Sequence, residues 1–180
     1  MSETNVILSN VRLSFLRVFQ PNKDGKYTAT VLIPKTDKKN YEAACKAIEA
    51  AKAAGSAKFG AAWPKRPKVT LYDGDDVQPS GKAWGPECEG HWVLRTSSKS
   101  QPDVVDRRCQ PIINASEVYS GIFANIDINF YPYSSDNSVG VSCGLNNIQK
   151  VRDGDPLSGR ASAKSVFSVL EDEEYDNFGL

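Results

Sequence analysis

Residues 121–131, GIFANIDINFY, alternate without a slip. Ile122, Ala124, Ile126, Ile128 and Phe130 fall on one side, and Phe123, Asn125, Asp127, Asn129 and Tyr131 on the other. Period two, apolar against mostly polar, marks a strand with one face in a core and the other toward solvent. The outward side carries two aromatics and no aliphatic, so it is a candidate for recognition as well as structure.

Downstream, residues 139–151 alternate through Val139, Val141, Cys143 and Leu145, and Asn146 and Asn147 break the phase before Ile148. Upstream, residues 11–18 alternate through Val11, Leu13 and Phe15, then slip to Leu16 and Val18, which predicts a strand with a bulge. Pro21, Asn22, Asp24 and Gly25 make residues 19–26 a hairpin loop. Residues 27–33, YTATVLI, follow as a strand that Pro34 stops. In 37–54 the period becomes helical through Tyr41, Ala44, Cys45, Ile48 and Ala51, with Asp37 as N-cap and Gly55 as the stop. Residues 56–68 read as loop, 69–72 and 91–97 as strands, and 73–76 with 79–87 as one long loop.

Five or six strands and a single inserted helix fit a small antiparallel barrel better than an α/β fold, because helices do not alternate with strands. The expected class is mainly β: a small antiparallel barrel of the oligonucleotide-binding (OB) type with one inserted helix and a flexible acidic C-terminal tail. Residues 1–156 form the expected domain, 157–170 a linker and 171–180 the tail. No charge-free apolar run approaches bilayer length, and MSETNVILSNVRLSF lacks the pattern of a secretory signal.

The 22 basic and 22 acidic residues sum to zero, which taken alone argues against a nucleic-acid partner. The sum hides a segregation. Glu171, Asp172, Glu173, Glu174 and Asp176 put −5 into the last ten residues, leaving 22 basic against 17 acidic residues, or +5, in the body. Between Glu49 and Asp73 there is no acid, while Lys52, Lys58, Lys65, Arg66 and Lys68 alternate with Phe59, Trp63 and Tyr72. Cations interleaved with rings suit unpaired nucleic acid, whose phosphates need neutralising and whose bases stack. The bland alternative is a solvated lysine face over core aromatics.

Four cysteines without a CxxC pair read as reduced thiols, and Cys88 with His91 is half a zinc site lacking its other half. No metal or other cofactor is expected. Asp73, Asp75 and Asp76, with Glu87 and Glu89 nearby, could hold a divalent ion for a nuclease, although an Asp-Gly turn needs no metal. Trp63 and Trp84 sit in Pro/Gly-rich segments beside lysines and are better stacking candidates than Trp92 within its strand; one of the two remains available as a plug for the barrel end.

Several long strings give the chain a resemblance: YTATVLIPKTD (27–37), YDGDD (72–76), SSKSQPDVVD (97–106), EVYSGIFANIDINFY (117–131) and GLNNIQKVRDGDPLSGR (144–160). With them the chain resembles a family of bacteriophage single-stranded DNA-binding proteins of the Enterobacter-phage type. That resemblance implies an OB fold and non-enzymatic, sequence-tolerant binding of single-stranded DNA in phage replication, recombination and repair, in the cytoplasm of the infected bacterial host. Stacking candidates are then Trp63, Trp84, Tyr119, Phe123 and Tyr131. Phosphate candidates are Lys35, Lys58, Lys65, Arg66, Lys68, Lys99, Arg107 and Arg108. The tail, with its acids and Phe178, would compete with DNA for the basic body and recruit replication or recombination proteins. A homodimer is compatible with this reading and a membrane partner is not. The alternatives are the Asp73–Asp76 nuclease and a phage structural or assembly protein.

Overall fold

The computed structural model describes residues 3–157 and 167–170. The acidic tail and most of the expected linker lie outside the described residues. Among the described residues, eight strands, β1 (Asn5–Arg17), β2 (Tyr27–Pro34), β3 (Lys68–Val69), β4 (Leu71–Asp73), β5 (His91–Ser98), β6 (Asp103–Val105), β7 (Phe123–Ser135) and β8 (Ser138–Arg152), accompany one long helix, α1 (Lys38–Phe59). Five of the strands close on themselves. β1 pairs with β2, β2 with β5, β8 with β7 and β7 with β1, all antiparallel, and the parallel pair Ser97–Gly144 joins β5 to β8. A closed five-stranded barrel of this order is the OB arrangement, and the mainly β class with one helix is as expected.

The alternation in β7 does what it predicts. Ile122, Ala124, Ile126, Ile128 and Phe130 are all buried, with Leu8, Leu13, Val31, Leu94, Val141 and Cys143 as barrel-interior partners. The slip in β1 is a bulge between Ser14 and Arg17, and the Asn146 phase break is a register shift against β7. A second bulge, between Leu8 and Val11, was not read from the sequence. The backbone groups it frees at Ser9 are taken by buried Asn40, whose Oδ1 accepts from Ser9 N at 3.0 Å while its Nδ2 donates to Ser9 O at 2.9 Å. This ties the first turn of α1 to the barrel.

Asp37 caps α1, accepting from Asn40 N. Two sequence readings of this element are corrected. Gly55 is not the stop, and residues 56–62 are not loop: α1 runs on to Phe59 and a 3-10 turn, Gly60–Ala62, follows. Gly55 is buried because the Trp63 ring folds back onto it, and a Cβ there would lie 2.4 Å from that ring. The glycine serves close packing rather than termination.

Candidate nucleic-acid interface

The outer faces of β1, β2 and β5 line a groove of about 720 Å3. Its floor is Ser14, Thr28, Thr30, Leu32, Val93 and Ser97. Phe15 and the β1–β2 loop residues Asp24 and Lys26 contribute to its lining, as does the segment Trp84–Cys88. In OB barrels the face over the second and third strands, with the loop joining the first two, is where oligomeric ligands lie.

Phe15 is presented by the bulge. It sits at φ +48°, left-handed backbone that a bulky side chain rarely adopts, and its ring is 66% exposed. Thr28 Oγ1 donates to its carbonyl and Ser120 Oγ accepts from the next amide, Leu16 N, so the strained turn is held from both sides. An exposed aromatic on a strained, doubly anchored backbone is characteristic of a functional position. Elsewhere in the groove, the Arg95 guanidinium lies 5.0 Å from the Trp84 ring centroid and 5.4 Å from that of Tyr72, and one of its nitrogens donates to Gln78 Oε1. The cation is thereby held in place on ring faces while remaining exposed. Among the described residues, Trp84 Nε1 and Thr70 Oγ1 are buried without a hydrogen-bond partner.

After β8 the chain crosses the outer sheet as a strap, Asp153 to Leu157. Tyr119 Oη donates to Gly154 O at 2.9 Å and lies 3.1 Å from Asp153 Oδ1. Arg12 donates to Asp155 O at 2.6 Å, and Leu157 N donates to Ser120 O. The Phe123 ring lies beneath Arg152, 3.6 Å away, and Arg12, 5.7 Å away. Lys150 pairs with Asp153 at 2.6 Å and, with the Tyr119 hydroxyl, holds that carboxyl below the usual range. The strap ends where Leu157 packs on Leu32, Cys88 and Val93, the apolar end of the groove.

A family described as Enterobacter phage Enc34, ssDNA-binding protein, matches residues 4–178. The chain belongs to this family. Protein p50 of Acyrthosiphon pisum secondary endosymbiont phage 1 is 32% identical, over 93% of this chain and 96% of that one. Among solved structures, the single-stranded DNA-binding protein of bacteriophage Enc34 superposes with a TM-score of 0.73 at 26% identity, covering 92% of this chain and 90% of that one. The same protein in complex with single-stranded DNA gives 0.71 at 25%, covering 86% and 90%. The single-stranded DNA-binding protein gp2.5 of bacteriophage T7, 14% identical with a TM-score of 0.62 over 95% and 97%, shares the fold.

Within this Enc34-type chain, the residues singled out from sequence fall into separate places. Trp84 lines the groove. Trp63 stacks on Phe59, 5.8 Å between centroids, and packs against the core. Tyr119 and Phe123 hold the strap. Tyr131, 41% exposed, lies outward on β7 and does not line the groove. Lys58 rests over Phe59; Lys65, Arg66 and Lys68 are exposed on the segment entering β3, without an ion pair among the described residues. The pairing of Tyr27 with Ser98 brings Lys99 beside Lys26, at the groove-lining end of β2. Arg107 donates to Val151 O, and Arg108 is exposed in the same turn.

Lys35 is a clasp. Its ammonium donates to Asp73 Oδ1 and Asp75 Oδ2, both at 2.7 Å, and lies 4.8 Å from the Trp92 ring centroid. Asp75 Oδ1 also accepts from Gly90 N. The lysine holds both carboxyls below their ordinary range, and its own pKa is raised in return. Depressed carboxyl pKa values mean that the clasp is complete above the ordinary carboxylate range and released as pH falls below it. Asp73 and Asp75, two of the three aspartates weighed as nuclease ligands, are thus already committed to an internal cation. Among the described residues, no group of three or more His, Cys, Asp and Glu is placed to hold a metal ion, and no helix is long and apolar enough to cross a membrane.

Sequence reasoning missed Phe15, Lys26 and Arg95 as groove residues. Signals existed for two: the phase slip that ends at Phe15, and the outward position of Arg95 in β5.

Proposed function

We propose that the protein binds single-stranded DNA along the groove over β1, β2 and β5, without strict sequence requirement, in phage replication and recombination within the host cytoplasm. The carrying observation is Phe15, held exposed on strained backbone in the same groove as the Trp84–Arg95 stack, in a chain whose family is named for this ligand. Phe15 and Trp84 offer faces to unpaired bases, and Arg95, Lys26 and Lys99 meet phosphates. Lys58, Lys65, Arg66, Lys68, Arg107 and Arg108 add a diffuse positive field that raises the rate of encounter.

The strap gives the acidic tail a route to this groove. Leu157 packs at one end of it, and the fourteen residues from there to Glu171 span at most about 50 Å when extended. Glu171, Asp172, Glu173, Glu174 and Asp176 therefore stand at high local concentration beside the cations they mimic DNA toward. DNA entry frees them, with Phe178, for a basic, apolar surface on a replication protein.

Salt titration of binding to single- and double-stranded oligonucleotides, with the full chain and with residues 171–180 deleted, tests both statements. Single strands are expected to bind tighter, with a log–log salt slope of about −0.7 per phosphate neutralised. The deletion is expected to tighten binding most at low salt. Equal affinity for duplex contradicts the groove reading, and an unchanged affinity on deletion contradicts competition by the tail.

A further inference from the structure

A groove that only neutralised a polyanion would carry cations and neutral groups. This one also carries two carboxylates, Asp24 on the β1–β2 loop and, on the segment Trp84–Cys88, Glu87. Local chain geometry places that side chain. Pro86–Cys88 is a single 3-10 turn closed by Cys88 N donating to Gly85 O at 3.0 Å. The carboxylate lies against Gly85, where a Cβ would come within 2.4 Å of Glu87 Oε2. Among the described residues the carboxylate has neither a hydrogen bond nor an ion pair. Neither of the two cations lining the groove pairs with it: Arg95 lies on the Trp84 and Tyr72 faces and donates to Gln78, and Lys26 stands on the β1–β2 loop. The acceptor sites of Glu87 are left for whatever enters.

We propose that Glu87 biases the groove toward bases carrying an exocyclic amine, cytosine above thymine, as a graded preference within otherwise sequence-tolerant binding. This rests on the single-stranded DNA reading above. An ionised carboxylate only accepts hydrogen bonds. Cytosine presents an N4 amine that donates to it, whereas thymine presents O4 at the same position, so that lone pair meets lone pair. The two pyrimidines have similar size, so this exchange of amine for carbonyl is the main difference the groove can read.

The test compares oligo-dC and oligo-dT of equal length, by fluorescence anisotropy at one salt concentration, on the full-length protein and on Glu87→Gln. The parent is expected to bind oligo-dC roughly three- to tenfold tighter, the size of one good hydrogen bond. In Glu87→Gln the ratio is expected to fall toward one, because the amide donates to O4 as readily as it accepts from N4, while both affinities rise with the loss of a like charge. The substitution removes no protein contact, and an unchanged far-ultraviolet dichroism spectrum verifies the fold. Equal parent affinities, or a ratio that survives Glu87→Gln, overturn the proposal. Failure of both oligonucleotides to bind instead overturns the DNA-binding reading on which it rests.

Discussion

Phe15→Ala is expected to weaken single-stranded DNA binding by about 1–3 kcal/mol, or 5- to 150-fold, the range for removing one base-stacking ring. The ring is 66% exposed, so its loss leaves no cavity and little stability is spent. The backbone sharpens the test. At φ +48° a non-glycine residue is strained, and Phe15→Gly relieves that strain. The glycine variant is therefore expected to melt no lower than the parent while binding DNA as poorly as the alanine variant. Phe15→Tyr, which keeps the ring, should retain affinity. Anisotropy with a labelled oligonucleotide and thermal melting monitored by dichroism separate the two effects. Parent-like affinity in Phe15→Ala places base stacking elsewhere.

The second large effect is on stability. Trp63→Ala should destabilise the protein by about 2–4 kcal/mol, somewhat below the cost of truncating a fully buried tryptophan, because this one is only partly buried. Gly55→Ala should cost about 1–3 kcal/mol by overpacking against the same ring, 2.4 Å from the added Cβ. In the Trp63→Ala background the clash is gone, and Gly55→Ala should instead stabilise α1 by up to about 1 kcal/mol, the helix-propensity gain of alanine over glycine. Urea denaturation of the four proteins in this cycle measures the sign change. Additive single effects contradict direct packing of Trp63 on Gly55. Binding per folded molecule should be unaffected by Trp63→Ala, in contrast to Trp84→Ala.

What the sequence could disclose followed from how local each determinant is. β7 was legible residue by residue because a strand with one buried face writes period two directly into the chain. The Asp37 cap was legible because its bond to Asn40 spans three residues. The end of α1 was misread because glycine is locally a breaker, and only a ring eight residues further on explains why a missing Cβ is wanted at Gly55. Phe123 was read as facing outward and Tyr119 as a stacking candidate, but nothing near them in sequence shows that residues 153–157 lie across them. Lys35 looked like a free cation because its partners stand some forty residues away. The groove itself draws on β1, β2, β5 and the loops around Asp24 and Trp84, and no single window contains it. The division of charge between body and tail, in turn, was visible only in the sequence, since residues 171–180 lie outside the described structure.

In the proposed binding mode, single-stranded DNA lies over β1, β2 and β5. Ultraviolet crosslinking of an iodouracil-substituted oligonucleotide to the full-length protein, with the attached peptides mapped, tests it most directly. Crosslinks are expected at Phe15 and Trp84. Crosslinks confined to Trp63, Phe123 or Tyr131, with Phe15 and Trp84 unmodified, would contradict it.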